Sequence, residues 1–243
     1  MSGVRLAASY SYLPNCLGFC GSQKKGDLLL MEEFIERKIS EKKIIPVLEK
    51  LEAAFFYYKL IARKNGIKNP FAKKVIEAYW IGNELLEKVS RMDLQKMILK
   101  DFVKPHLLTV AEAQKRIKKI PKGSKAHHSF HVFILGPIAG RIDMKELSLK
   151  DVCRTGFGEV LEVKKEKNGN FLLVNFQPIV TNDRKYLLGQ GKKIKIKWNK
   201  NILPKVKIGE TVSFHWGTAV QVLNKSKTEN VIKYTENTLG LLS

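Results

Sequence analysis

Apolar residues recur at steps of three and four from about residue 27 to residue 118, which predicts a run of amphipathic helices. Asp27 caps a first helix through about Lys38. A second starts at Ile44 with Pro46 in its first turn, where the missing N–H does no harm, and ends at Gly66 as C-cap. Its face runs Leu48, Leu51, Phe55, Tyr58 and Ala62, widened by Phe56 and Leu60. Asn69-Pro70 opens a third helix through about Val89 that buries Val75, Ile76, Tyr79, Trp80 and Leu86. A fourth begins at Asp93 with Leu94, Met97, Ile98 and Phe102 on one side, and Thr109 with Glu112 forms a capping box for a short basic helix to Lys119. Aromatic residues at this spacing, such as Phe55 to Tyr58, read as core rather than as a ligand groove. Before residue 27, Pro14, Gly18 and Gly21 argue against a continuous helix. Residues 1–26 are therefore expected to be an N-terminal arm held by Tyr12, Leu13, Leu17 and Phe19.

Pro121 to Lys125 has the composition of a linker, and alternation after Ser129 predicts a strand. Ser129, His131 and Phe133 would share one face of it, with Phe130 and Val132 on the other. From Val152 the period switches to two. Glu159 to Val163 and Phe171 to Phe176 make a hairpin around Asn168-Gly169-Asn170. Lys193 to Trp198, Thr211 to His215 and Thr218 to Val222 add three strands, and a helix capped at Asn224 or Ser226 follows. The expected fold is α+β: an all-helical domain over 27–120, a connecting segment over 121–151, and over 152–243 a small OB-like β-barrel with a C-terminal helix.

Composition narrows the function. The 44% hydrophobic content supports packed cores. No run reaches the roughly 18 apolar residues of a membrane span, and the N-terminus lacks a signal-peptide core, so the expected location is the cytoplasm. With three cysteines, Cys16, Cys20 and Cys153, no secreted disulfide framework is implied, and each reads as a reduced thiol or a metal ligand. Cys16 and Cys20 alone make an incomplete zinc clip. His127, His128 and His131 invite a metal reading that Cys20 or Cys153 would have to complete.

A formal net charge of +21 favours anionic partners, and Gly191 to Lys200 places cations at alternate strand positions. A nucleic-acid-binding barrel stacking bases on Trp198 and Trp216 is therefore an alternative, although no RNP, KH or helix-turn-helix signature accompanies it. No carboxylate pair, Ser-His arrangement, phosphate loop or HExxH run defines a reaction, so a non-catalytic role is expected.

Two motifs then acquire a common meaning. Cys153 precedes Gly158-Glu159-Val160-Leu161-Glu162-Val163, and further on stands Val206-Lys207-Ile208-Gly209-Glu210-Thr211-Val212-Ser213-Phe214-His215-Trp216-Gly217-Thr218-Ala219. Residues 153–242 resemble the HypC/HupF family of [NiFe]-hydrogenase maturation chaperones. Those proteins open Met-Cys and carry a Val-Lys-x-Gly-Asp-Tyr-Val-x-Val-His-x-Gly-x-Ala segment. This sequence departs in having Phe157 where the family has Pro, an internal Cys153, and a longer loop around 177–192.

The resemblance implies a metallocentre chaperone in which the Cys153 thiolate transiently holds iron bearing cyanide and carbon monoxide. His215 would be a second ligand or a nearby polar group, and maturation proteins or a hydrogenase large subunit would be the partners. His128, His131 and Cys20 are further candidate ligands. Arg154 beside the thiol is expected to favour its thiolate form, and Arg154, Phe157 and Trp216 to meet the partner.

Overall fold

The computed structural model describes residues 1–104, 107–138, 142–167, 169–183 and 185–242. The segment expected as an arm is instead helix α1 (Gly3–Cys16), capped by Ser2, whose hydroxyl accepts from the Arg5 N–H. Pro14 sits in its last turn, where it removes a single backbone hydrogen bond. Nearly complete burial outweighs that loss: Leu6, Ala7, Ala8 and Tyr10 are all 0% exposed. Helix α1 lies between the other helices and the barrel, reaching the latter through Tyr10 Oη, 2.7 Å from Ser213 Oγ.

Helices α2 (Lys25–Ile35), α3 (Glu41–Leu48), α4 (Ala54–Lys64) and α5 (Lys73–Trp80) follow. The second predicted helix is thus two, because the chain turns at 49–53 with Leu51 directed into the core. The third stops at Trp80 because Gly82 takes φ +93°, beyond which a 3-10 turn covers Glu84–Lys88. A Cβ on Gly82 would lie 2.0 Å from the Tyr234 ring, so this glycine also permits close approach of the C-terminal helix. Helix α6 (Arg91–Met97) runs into a π-helical turn at Ile98–Phe102, and α7 (Val110–Lys118) carries the expected Thr109/Glu112 capping box.

The predicted strand after Ser129 is also corrected. It is helix α8 (His128–Phe130) running into a π turn at His131–Leu135. Phe130, Val132, Phe133 and Leu135 are all buried, so alternation there had no solvent face to report. Arg116 Nη1 holds the end of the turn by donating to the carbonyls of Leu135, Gly136 and Pro137 at 3.0, 3.3 and 2.8 Å.

Helix α9 (Leu147–Cys153) leads into the strands β1 (Gly156–Glu166), β2 (Gly169–Phe176), β3 (Ile179–Asn182), β4 (Lys185–Leu188), β5 (Lys192–Lys197), β6 (Thr211–His215) and β7 (Thr218–Leu223). Five of them close a barrel in the order β1-β2-β5-β7-β6, whose one parallel pair is β5 with β7. Counting only barrel strands, the order 1-2-3-5-4 is that of an OB-type Greek key. The long loop around 177–192 is occupied by the β3–β4 hairpin, and Asn168 of the predicted turn lies outside the described residues. Val160, Leu172, Val174, Ile196, Val212 and Ala219 fill the barrel.

Helix α10 (Lys225–Gly240), capped by Asn224, returns to the helical half. Lys227 Nζ lies 2.7 Å from Glu77, and Tyr234 Oη lies 2.9 Å from Glu87. The main apolar core is continuous from α1–α7 to Phe157, Val220, Leu223 and Tyr234, so the helical and barrel regions share one interior.

Candidate metal centre

Cys153 is the last residue of α9, at the corner where helix gives way to barrel. Arg154 fixes that corner. Its guanidinium is fully buried and donates to Asp151 Oδ1 at 2.7 Å, Thr155 O at 3.2 Å and Gln177 O at 2.6 Å. Its charge is balanced by Asp151 instead of acting on the thiol, which corrects the expectation of an activated thiolate. Burial pushes the Cys153 thiol up to about 12, with a smaller opposing pull from Trp216. Arg154 and Phe157 are buried at 0% and 5% exposure, so neither offers a surface to a partner.

The structure brings Cys153 together with His215 and also with His128. The thiol sulfur and one nitrogen of each ring lie within 4.8 Å of one another. His215 ends β6, and its Nδ1 donates to Tyr10 O at 2.6 Å. That carbonyl is open because its usual helical donor, four residues on, is Pro14, which has no N–H. A backbone carbonyl on the far nitrogen is the support that orients metal-ligating imidazoles. His128, at the start of α8, has Nδ1 3.0 Å from Tyr79 Oη. Trp80 packs against both rings, 4.3 Å from His128 and 4.9 Å from His215 by centroids, the two imidazoles being 5.1 Å apart, and stacks on Tyr10 at 4.6 Å.

Both imidazoles converge on one backbone carbonyl. Nε2 of His215 lies 2.7 Å from Cys153 O, and Nε2 of His128 lies 2.8 Å from the same oxygen. A neutral imidazole has one N–H, and His215 spends it on Tyr10 O. Burial lowers His215 to about 4 and His128 well below its ordinary value, so both rings are neutral at pH 7. A neutral His215 can donate to only one of the two carbonyls it faces, so its other nitrogen keeps a lone pair. Two imidazoles and a thiol make an N2S donor set that can hold a transition-metal ion, with a further coordination position left for an outside ligand.

The three donors line a partly enclosed cavity of about 100 Å³, several times what one water needs. Its other walls are mainly apolar, including Val132, Ile138 and Met144. Trp216 covers the thiol from the tight β6–β7 turn, where it takes φ +50°, uncommon for a bulky residue, and packs on Phe19 at 4.6 Å. Its buried indole N–H has no hydrogen-bond partner among the described residues.

The remaining candidates are distributed around this centre. His131 and Cys20 line the same cavity but stand outside the group of three, and His131 Nδ1 is 3.5 Å from Tyr57 Oη. Cys16 is exposed at the end of α1. His127 is fully buried and accepts from the Ser129 N–H. Trp198 is buried, donating to Leu203 O at 2.7 Å, and so is not available to stack on bases. On the cationic face of β5, Lys195 is paired with Glu166 at 2.8 Å and lies 3.9 Å from the Phe171 ring centre. The supporting residues Tyr10, Tyr79 and Trp80 were not expected at a site. Tyr79 and Trp80 stand in an aromatic stretch, Glu77 to Glu84, that reads as core at helical spacing, and the signal for Tyr10 is Pro14, four residues beyond the carbonyl that holds His215.

Among the described residues no helix is long and apolar enough to cross a membrane. No curated protein and no solved structure matches the chain. One family model covers it from end to end, residues 1–243, and carries the description "Family of unknown function (DUF6390)". The chain therefore belongs to DUF6390.

Proposed function

We propose that this protein is a non-catalytic metallocentre maturation factor that binds a metal ion transiently through His128, Cys153 and His215. By its resemblance to the HypC/HupF chaperones, the cargo would be iron, and the recipient a maturation scaffold or a hydrogenase large subunit. The observation that carries this reading is the meeting of Cys153 and His215, 62 residues apart in sequence, where an OB-type barrel begins. Those are the two positions that the motif resemblance singled out. His128 supplies a third donor from the helical half, so the centre needs both halves of the chain.

The residues divide the work. His215 presents a lone pair once its Nδ1 N–H is occupied by Tyr10 O, and His128 would do so by giving up its contact with Cys153 O and donating from Nδ1 to Tyr79 Oη instead. Cys153 must lose its proton to bind, and burial keeps that proton on until a cation arrives, so loading releases a proton. A thiol held neutral in this way is protected from oxidation between deliveries.

The test is metal content after anaerobic purification from iron-replete cells, for the natural protein and for Cys153→Ser and His215→Ala. Iron approaching one equivalent, lost in both variants, is expected. Equal iron in the natural protein and Cys153→Ser would refute the reading, and zinc in place of iron would retain the centre but remove the hydrogenase assignment.

A further inference from the structure

We infer that the groove between α4 and the π turn that follows α6 is a binding site for a small polyphosphorylated ligand, such as a nucleoside triphosphate. It is separate from the metal centre. Lys59 and Arg63 on α4 face Lys100 in the π turn and Lys104 just beyond it across a concavity of about 700 Å³, within the range of small-molecule sites. Asp101 is the one acidic residue lining it.

The case rests on four cations gathered in a concave place, one of them, Lys59, with its Nζ 5.5 Å from the Phe56 ring centre. Some lysines elsewhere, including Lys50, Lys64, Lys74 and Lys125, are paired with carboxylates. No ion pair among the described residues involves Lys59, Arg63, Lys100 or Lys104, and these four, unlike other unpaired lysines, share one concavity. Lys59 and Arg63 are also like charges four apart on one helix, an arrangement that costs stability. That cost, and the repulsion from Lys100 and Lys104 across the groove, are relieved together by a multiply charged anion. A cloud of monovalent counter-ions relieves them less well.

Two further features suit a phosphorylated ligand. The π turn at Ile98–Phe102 widens the helix, and such turns recur at functional sites. Arg63 offers a planar fork that matches phosphate oxygens, and the lysines add mobile point charges. Phe56, packed on Phe102 at 5.5 Å, gives the groove an apolar wall against which a flat ring can lie. That wall, and the limited size of the groove, favour a nucleotide over a long polyanion.

The experiment titrates the full-length protein with adenosine triphosphate, with inorganic tripolyphosphate and with a single-stranded RNA of about 12 nucleotides. Arg63→Glu/Lys100→Glu is compared with Lys115→Glu/Lys118→Glu, exposed positions on α7 that give the same change in net charge. Circular dichroism verifies that each variant is folded. Saturable triphosphate binding, weakened about tenfold or more by the groove pair and less than about twofold by the α7 pair, is expected. Tighter binding of adenosine triphosphate than of tripolyphosphate would add the apolar wall to the site. Equal weakening by both pairs, binding of RNA alone, or no saturable triphosphate binding would overturn the proposal.

Discussion

Lowering the pH from 7 to 5 should destabilise this protein by an amount set by its buried histidines. Burial holds His131 and His215 at about 4 and His127 at about 3 in the folded chain, against 6.5 when exposed. Because the folded values are depressed, the unfolded chain takes up protons first as the pH falls. The stability these rings contribute is thus complete above about 6.5 and is lost progressively toward the folded values. Each unit below 6.5 costs about 1.36 kcal/mol per ring, hence about 2 kcal/mol per ring at pH 5.

Taken as independent sites, these three rings lose about 6 kcal/mol, comparable with the whole stability of a typical domain. His128 adds to the loss, but it interacts with His215 and is not simply additive. The assay is urea unfolding followed by tryptophan fluorescence at pH 7.5, 6 and 5. His131→Gln serves as a control and should remove about 2 kcal/mol of the pH dependence. A change below about 1 kcal/mol between pH 7 and 5 would mean that the rings are already solvated or charged in the folded protein, and the electrostatic argument for the metal centre would fail with it.

Three other outcomes follow from the same geometry. Pro14→Ala restores an N–H that competes with His215 for Tyr10 O, so zinc affinity by chelator competition should fall about tenfold while the melting temperature holds or rises; unchanged affinity would deny Pro14 that supporting role. Trp216→Asn keeps the positive φ of the β6–β7 turn but uncovers Cys153, so labelling by a disulfide reagent should speed up about tenfold or more, and an unchanged rate would show that the indole is not the cover. Gly82→Ala drives a methyl into the Tyr234 ring at a backbone angle alanine avoids, costing about 2 kcal/mol or more in urea unfolding; a neutral result would mean that α10 does not pack there.

The amino-acid pattern alone determined the elements that have one wet face or clear punctuation, the buried strands β6 and β7 being marked by the turn residues Gly209 and Gly217. Alternation located the other barrel strands, the Thr109/Glu112 box located α7, and Asn224 located the start of α10, because in each case local chemistry or one-sided burial leaves a readable phase. Motif resemblance pointed to Cys153 and His215, which no spacing in the chain links. Only the tertiary structure decided that residues 3–16 and 128–135 are helical. Both segments are enclosed by the helical half on one side and the barrel on the other, so polarity along them carries no period. The same enclosure recruited His128 as the third donor and turned Arg154 away from the thiol toward Asp151. Contacts between residues far apart in the chain are settled by how the shared core closes, and no local spacing records that.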